Sequence, residues 1–337
     1  MGTVWRAEEW ADDAVVLPAE QPTPEQVLAG ADRFAPVAAG LRADPWRYLA
    51  VLATLGSLDL TAARALEPHL DAVAILAQAG DPDLSAVGVD ATSTFGVYAA
   101  RAPGTGLVAS RGREGLDRLD GTKAWCSLAT VVSHALVTTT REGRETMHAV
   151  GLHRPGVAHA TSSWVSRGLA AVTTGSLAMD DVPAVPVGDA DWYLERPGFA
   201  WGGIGVAAVW FGAAAALAGA LRDAAERRPP DQVALLHLGT VDHLLHGALL
   251  SLRAAADDIA AGRADGPAGA VLAARTRAVV TRAAEEVLTI VGHALGPAPL
   301  THDEEHARRV ADLTVYLRQH HAERDLAALG ALLLEDR

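Results

Sequence analysis

The pattern of apolar residues changes character twice along this chain, and this alternation constrains the fold more than any other feature. Up to about residue 80, and again from about residue 198, apolar residues recur with the period of a helix. Between residues 85 and 187, short runs of valine, threonine and alanine are separated by turn signals, which is typical of an antiparallel β domain. The sequence therefore predicts an α+β fold that is mostly α, with an N-terminal helical domain (residues 1–84), a middle antiparallel β domain (85–192) and a C-terminal four-helix bundle (193–337).

Residues that favour helix starts, and prolines and glycines that end helices, predict the helix boundaries. Pro24 suits an early helical position, and Asp59 is a candidate N-cap before an apolar-periodic stretch. Two prolines at positions 229 and 230, and later Gly262, end long segments of the C-terminal part. The predicted helices span residues 24–41, 46–55, 60–79, 206–227, 233–261, 268–295 and 303–334, the last with an interruption.

Composition excludes several classes of protein. Half of the 337 residues are hydrophobic but only 5% are aromatic, so alanine, leucine and valine must fill the core, which suits close-packed helices. A net charge of −13 argues against nucleic acid or an anionic membrane as a partner. One cysteine excludes an intrachain disulfide and a cysteine-based zinc cluster. The apolar run at residues 206–221 is judged too short to span a bilayer, and no signal peptide is recognised, so we expect a cytoplasmic protein with no membrane contact.

Residues 119–129 hold the chain's only cysteine and its only lysine, Lys123. The Asp120-Gly121 pair predicts a hairpin turn. A strand that leaves this turn would place Lys123, Trp125 and Ser127 on one face, because side chains alternate along a strand. Such a face suits a flat ligand with polar edges. The alternative, which spacing alone favours, is a half-buried strand in which Trp125 belongs to the core.

The segment Gly121-Thr-Lys-Ala-Trp-Cys-Ser127 resembles the Gly-x-Lys-x-Trp-Ile-Thr segment of the acyl-CoA dehydrogenase family, and the order of helices, sheet and bundle is also similar. The resemblance implies FAD between the β domain and the bundle. Trp125 would pack beside the isoalloxazine ring, and Ser127 would form a hydrogen bond to its edge. Further cofactor-binding positions implied by the resemblance are Val97, Tyr98, Thr105, Arg228, His293 and Gly296.

Several of these positions depart from the family pattern. The family's Thr-Glu-Pro-x-x-Gly-Ser loop is replaced here around Val97, Tyr98 and Thr105, and its adenine-side glutamine and paired glycines are replaced around His293 and Gly296. The resemblance implies that Arg228 reaches the pyrophosphate of a partner subunit's FAD. Arg228 is equally explained as a cation in the last turn of a helix, where it favours the helix dipole.

The resemblance also locates a catalytic base. The spacing from Gly296 through Arg308 to Asp312 is similar to that of the family, whose catalytic glutamate usually lies eight residues beyond the aspartate. That position is His320 here. A neutral histidine can accept a proton near pH 7. The alternative is that His320 lies on the exposed face of a terminal helix.

These observations leave three functions open. The first is an FAD-dependent oxidoreductase, similar to acyl-CoA dehydrogenases, that acts on an acyl thioester such as an acyl-CoA or on a related small substrate. The second is a flavin-dependent monooxygenase of the same fold. The third is a non-catalytic, cofactor-free homologue that serves as a partner or scaffold.

The resemblance also implies a homodimer or homotetramer. We expect no bound metal, because the histidines around 237–246 and 302–306 are better explained as solvated surface. The polar residues of the segment 67–71 indicate a buried network of unassigned role.

Overall fold

The computed structural model describes residues 7–113, 115–160, 164–227 and 229–335. The N-terminal part contains four helices: α1 (Pro24–Leu28), α2 (Ala35–Ala39), α3 (Pro45–Leu58) and α4 (Leu60–Gln78). The Asp59 carboxylate accepts the Ala62 backbone N–H at 2.8 Å, so the predicted cap of α4 is confirmed. The single helix predicted for residues 24–41 is wrong. It is broken into α1, a 3₁₀ turn (Ala31–Phe34) and α2, because Gly30 and Pro36 interrupt the hydrogen-bond ladder.

Seven strands form the middle part: β1 (Phe95–Tyr98), β2 (Gly106–Arg111), β3 (Asp117–Ser127), β4 (His134–Arg141), β5 (Arg144–Gly151), β6 (Val157–Ala160) and β7 (Thr174–Pro186). The pairings β4–β2–β3–β7–β5–β4 close a ring, so the sheet is a small barrel with β1 and β6 attached to it. The prediction of an antiparallel sheet holds for the pairs along the chain, such as β2–β3 and β4–β5. It fails for β4, which runs parallel to β1 and β2.

The predicted hairpin turn at Asp120-Gly121 is also wrong, because both residues lie inside β3. The pairing of β3 with β7 shifts register between Leu119 and Gly121, so the pair marks a β-bulge. Gly121 has φ 121°, and a Cβ at this position would collide with the carbonyl oxygen of Gly106 on β2. Glycine is required here for close backbone approach rather than for a chain reversal.

The C-terminal part contains α5 (Trp192–Glu195), α6 (Gly198–Arg227), α7 (Gln232–Ala260), α8 (Gly266–Leu295), α9 (Ala298–His302), α10 (Glu304–Tyr316) and α11 (Glu323–Glu335). Helix α6 packs against α7 and α8, α10 packs on α6 and α11 packs on α8. The predicted long helices are confirmed, and the interruption of the last one lies between α10 and α11. Ala322 has φ 48° at this break, so the chain turns there instead of continuing the helix.

The closest helix contact joins α3 to α6. A Cβ at Gly212 would collide with the Ala53 carbonyl, and a Cβ at Gly56 would collide with the Val209 carbonyl. The two backbones therefore touch without side chains between them. The small-residue composition of α6 thus has a structural reason, since larger residues would force the helices apart.

Two helices, α6 and α7, are long and apolar enough to cross a membrane by length and composition. The expectation that the apolar run around residues 206–221 is too short fails on length, because it belongs to a 30-residue helix. Most of α6 is buried inside the protein, as in the core helix of a globular domain. Helix α7 is mostly uncovered, and large apolar side chains are exposed along it at Val233, Leu235, Leu236 and Leu250.

Candidate functional site

Trp125 lies at a second irregularity of the β3–β7 pairing, where the register shifts between Lys123 and Cys126 and the extra residue belongs to β3. Its φ is 60°, and 62% of the residue is exposed. The bulge breaks the alternation, so that Lys123 is buried and Trp125 points outward. Both expectations for this segment are wrong in part: the three side chains do not share a face, and Trp125 is not a core residue. The bulge leaves an indole at the surface of the barrel.

Ser127 is anchored at the end of β3. The buried hydroxyl of Tyr98 donates to the Ser127 carbonyl at 2.9 Å, and the Ser127 Oγ lies 2.9 Å from the Thr174 Oγ1 on β7. Burial raises the pKa of Tyr98, so this donor keeps its proton. The structure thus brings Tyr98, Ser127 and Thr174 together.

A cavity of about 250 Å³ adjoins this hydroxyl pair. Its polar lining includes Cys126, Thr130, His159, Trp164, Thr174 and Ser176. Burial raises the pKa of the Cys126 thiol to about 12, so it remains protonated and unreactive. Trp125 does not line this cavity, but it lies two residues before Ser127 at the end of the same strand. A flat aromatic ring and hydroxyl groups are the contacts that a flavin needs, since its ring is flat and its edge carries hydrogen-bonding atoms.

The other predicted cofactor positions are spread more widely. Val97 lies half-buried in β1, and the Thr105 hydroxyl donates to the Ala102 carbonyl and lines a different cavity. His293 is exposed and Gly296 is half-buried at the C-terminal end of α8, and neither lines the cavity next to Ser127 and Thr174. Arg228 lies outside the described residues.

His320 lies in the break between α10 and α11 and is only 6% exposed. The alternative of an exposed helical residue is therefore wrong. Its Nδ1 accepts the Ala322 N–H at 3.2 Å, and its Nε2 lies 3.9 Å from an Asp325 carboxylate oxygen. This Nε2 has no hydrogen-bond partner among the residues that the structure describes. Burial lowers the pKa of His320, which favours the neutral ring that can accept a proton.

Arg277 of α8 lies next to His320. It donates to the Gly203 carbonyl at 2.9 Å and to the Gln319 carbonyl at 3.1 Å, and its guanidinium lies 4.9 Å from the centre of the Trp210 ring. Burial lowers the pKa of Arg277, but the pKa of a free arginine side chain is so high that the guanidinium stays charged. A half-buried cation therefore lies beside the candidate base.

Two acids of α4 face the same interior. The Tyr316 hydroxyl lies 3.4 Å from a Glu67 oxygen, and Arg64 lies 3.5 Å from the same carboxylate. Burial raises the pKa of Glu67 to about 7 and also raises the pKa of Asp71, which lies 3.9 Å from Arg196. We call this set the polar junction, and it consists of Arg64, Glu67, Asp71, Arg196, Arg277 and Tyr316.

A partial signal for the polar junction is present in the sequence. Glu67 and Asp71 are spaced four residues apart on a helix whose neighbouring positions are apolar, which places two acids on one buried face. His69 between them faces the β domain instead, where its Nδ1 accepts the Phe95 N–H at 3.2 Å. The arginines could not be assigned, since they come from α4, α8 and the segment after α5.

Helix α10, which leads to His320, is fixed to the β domain by a buried hydrogen bond. The Asp312 carboxylate accepts the Leu169 backbone N–H at 2.5 Å. A Cβ at Gly168 would collide with the Ala311 carbonyl, so the loop and the helix are in direct backbone contact. The position of His320 relative to the barrel is therefore set locally. Among the described residues, no group of three His, Cys, Asp or Glu side chains could hold a metal ion.

The sequence matches no family model and no curated protein. Several solved structures match over nearly the whole chain. KijD3 in complex with FMN and a dTDP-linked amino keto sugar has a TM-score of 0.75 at 19% identity, covering 96% of this chain and 97% of that one. TdsC from Paenibacillus sp. A11-2, with FMN and indole, has a TM-score of 0.78 at 15% identity, covering 93% and 90%.

Butyryl-CoA dehydrogenase from Megasphaera elsdenii has a TM-score of 0.73 at 18% identity, covering 92% of this chain and 89% of that one. At these identities the likeness concerns the fold. It confirms the predicted order of helical domain, β domain and helical bundle. The protein described here therefore has the acyl-CoA dehydrogenase fold.

Proposed function

We propose that this protein is a flavin-dependent oxidoreductase that oxidises a small polar substrate held beside His320. The observation that carries the proposal is the polar junction. An unsubstituted acyl chain needs an apolar lining, whereas the interior next to His320 contains the charged Arg277 and the acid Glu67. Burying these groups is costly, and a substrate with carboxylate, amine or hydroxyl groups would offset that cost.

Trp125 and Ser127 would hold the flavin on the β-domain side. When bound, the flavin supplies the electron-transfer chemistry. The neutral His320 ring would accept a proton from the substrate at Nε2, and Asp325 nearby would stabilise the resulting cation. Arg277 would attract a negative group of the substrate. Tyr316 would donate a hydrogen bond or orient Glu67.

The form of the flavin is part of the proposal. The resemblance to acyl-CoA dehydrogenases implies FAD, while KijD3 and TdsC have been described with FMN. The replacements around His293 and Gly296 affect the positions that would bind the adenine half, so we propose FMN as the better match. Reconstitution of the purified protein with each cofactor, followed by equilibrium dialysis, compares the two affinities directly.

A monooxygenase is the second candidate, and the histidine at the base position favours it. Within the described chain, no carboxylate takes the place of the family's glutamate, since His320 occupies that position. TdsC, which has the same fold, is described as a dibenzothiophene monooxygenase. The observable difference is the oxidant: a dehydrogenase substrate reduces the bound flavin without oxygen, whereas a monooxygenase consumes oxygen when reduced flavin is supplied.

The first experiment tests cofactor binding. The wild type, Trp125→Ala and Ser127→Ala are reconstituted with FMN and with FAD, and flavin content is read from visible absorption. We expect at least a tenfold loss of affinity in Trp125→Ala and a smaller loss in Ser127→Ala. Val108→Ala is a matched control, because Val108 is also an exposed apolar residue of the barrel. Equal flavin content in all variants would contradict the assignment of Trp125 and Ser127 to the flavin. No flavin in the wild type would contradict the proposal as a whole and favour a cofactor-free scaffold.

The second experiment tests the base. The loaded enzyme is mixed anaerobically with acyl thioesters and with amino or hydroxy acids, and bleaching of the flavin is recorded. In parallel, oxygen uptake is measured with externally reduced flavin. His320→Ala should abolish substrate oxidation, because the proposed proton acceptor is removed. His320→Gln keeps a polar side chain without a basic nitrogen, so it tests whether hydrogen bonding at this position is enough for activity. Full turnover in both variants would place the base elsewhere, and bleaching by unsubstituted acyl-CoA alone would contradict the polar substrate.

The uncovered apolar face of α7 supports the proposed homodimer or homotetramer. Three of the four exposed large apolar side chains lie close together at residues 233–236, at the start of this helix, and clustered exposed apolar surface is typical of a protein interface. Light scattering during gel filtration measures the mass in solution. Leu236→Glu should shift the mass to the monomer of 35.0 kDa, and an unchanged mass would exclude α7 from the interface.

A further inference from the structure

A second cavity, of about 400 Å³, lies at one end of the barrel. It is bordered by the start of β2 and the end of β4, which pair with each other only through Val108 and Thr140. Its polar lining is formed by Arg101, Thr105, Lys123, Thr138, Thr140 and Glu145. None of these residues belongs to the polar junction, and the bulge at Trp125 separates Lys123 from the proposed flavin wall.

Lys123 is the central group of this cavity. It is 5% exposed, and its Nζ donates to the Thr138 hydroxyl at 2.6 Å and to the Thr138 carbonyl at 3.2 Å. An ammonium group carries three donors, so one remains for a ligand. Among the described residues, no carboxylate lies within ion-pair distance of Nζ. A buried lysine is normally paired with a negative charge, so Lys123 lacks its usual counter-charge.

Glu145 adds an unused acceptor to the same cavity. Its Oε2 pairs with Arg101, a residue that is 76% exposed at the rim. Its Oε1 is buried and has no hydrogen-bond partner among the described residues. The Arg101–Glu145 pair is neutral as a whole, which leaves the cavity with the single positive charge of Lys123. A ligand that completes the site must bring one negative charge and one hydrogen-bond donor.

We propose that this cavity binds a small monocarboxylate that also carries a hydroxyl or amino group, with the carboxylate on Lys123 and the donor on Glu145. A phosphate dianion fits less well, since Glu145 would repel the second charge. The site is independent of the proposed oxidoreductase activity, because the contacts proposed here are made by Lys123 and Glu145, neither of which is assigned to flavin or substrate.

The chain contains one lysine, which makes the test specific. Protein labelled with ¹³C at lysine Cε gives one side-chain signal, and that signal reports the pKa and the surroundings of Lys123. Burial lowers this pKa in the free protein, and a bound anion should raise it. The probes are glycolate, acetate and inorganic phosphate, each compared with chloride at the same ionic strength.

We expect glycolate to shift the signal with at least tenfold higher affinity than acetate, because only glycolate carries a donor for Glu145. Phosphate should bind more weakly than glycolate. Equal shifts with all anions, chloride included, would show charge screening only and overturn the proposal. No shift with any probe would also overturn it. The flavin content is read on the same samples, so failure of this site is distinguishable from failure of flavin binding.

Variants locate the contacts by calorimetry. Lys123→Met should abolish glycolate binding, and Lys123→Arg, which keeps the cation, should retain part of it. Glu145→Met should remove the preference for glycolate over acetate. Arg111→Gln is the matched control, because it removes a positive charge from an exposed position on β2. Unchanged glycolate affinity in a folded Lys123→Met would overturn the proposal, and the wild-type lysine signal decides the question if that variant does not fold.

Discussion

The contact between α3 and α6 and the polar junction use the same helix in opposite ways. On one side, Gly212 lets the backbone of α6 touch α3, and the residues in closest contact are glycine, alanine and valine. On the other side, the carbonyl of Gly203 and the ring of Trp210 surround the Arg277 guanidinium. The first contact stabilises the fold through close packing. The second buries charge at a cost, which indicates that the polar junction is kept for another reason than stability.

The largest effect on stability is expected at the apolar contact. Gly212→Ala places a methyl group against the Ala53 carbonyl, and the helices must separate. We expect a loss of about 3 kcal/mol or more in the free energy of unfolding, measured by urea denaturation. Gly219→Ala on the same helix is the control, because a Cβ there meets nothing within 4 Å. This variant should be neutral or stabilised by about 0.5–1 kcal/mol. Equal changes in the two variants would show that the contact with the Ala53 carbonyl does not decide the result.

A somewhat smaller effect is expected where α10 meets the β domain. Asp312→Ala leaves the buried Leu169 N–H without an acceptor, at a cost of about 2 kcal/mol. Asp312→Asn keeps an oxygen acceptor and should lose less. The same denaturation experiment measures both. A loss of the same size in both variants would assign the effect to charge rather than to the hydrogen bond.

The polar junction should respond to pH in the opposite sense from a surface acid. Burial raises the pKa of Glu67 from its ordinary value of 4.5 to about 7, so the folded state binds this proton more tightly than the unfolded state does. This contribution to stability is present below about pH 4.5 and is lost as the pH rises to 7. Glu67→Gln should therefore gain stability relative to the wild type between pH 5 and pH 8, by up to about 3 kcal/mol.

The control for this variant is Glu286→Gln, which removes a surface acid paired with Arg282. Its stability relative to the wild type should stay within about 0.5 kcal/mol over the same range. A difference between Glu67→Gln and the wild type that does not change with pH would contradict the protonation of Glu67 in the folded state.

The smallest effect on stability is expected at Trp125. The indole is mostly exposed, so Trp125→Ala should change the free energy of unfolding by less than about 0.5 kcal/mol without flavin. Saturating flavin should then stabilise the wild type more than the variant, because only a bound ligand raises the apparent stability. Differential scanning fluorimetry with and without FMN measures this. A large loss without flavin would make Trp125 a structural residue.

Much of the fold could be predicted from local patterns. The long helices α3, α4, α7 and α8 follow from apolar periodicity and from caps such as Asp59. The bulges of β3 could not be predicted in this way. An Asp-Gly pair indicates a hairpin, but here Gly121 is held in a strand by the nearby Gly106 of β2. This contact joins two different strands, so the residues on either side of Gly121 in the sequence do not reveal it.

The candidate site divides in the same way. Ser127 was identified from a seven-residue segment, and the structure places its hydroxyl beside Thr174. His320 was located by counting along the chain, but only the structure shows that it is buried and next to Arg277. Only the acids of the polar junction have a local signature, through the spacing of Glu67 and Asp71 on α4. Its other members could not be predicted, because Arg196, Arg277 and Tyr316 come from distant parts of the chain.

The sequence by itself determined where this chain is helical, where it forms a sheet, and which short segment carries its lysine, cysteine and tryptophan together. Periodicity, capping and turn chemistry act over a few residues, so they can be read directly. The tertiary structure alone decided that Trp125 points outward, that Lys123 is buried with no carboxylate of the described residues at ion-pair distance, and that the pKa of Glu67 is raised. Burial and the charge of distant neighbours set these properties, and both depend on which parts of the chain meet in space.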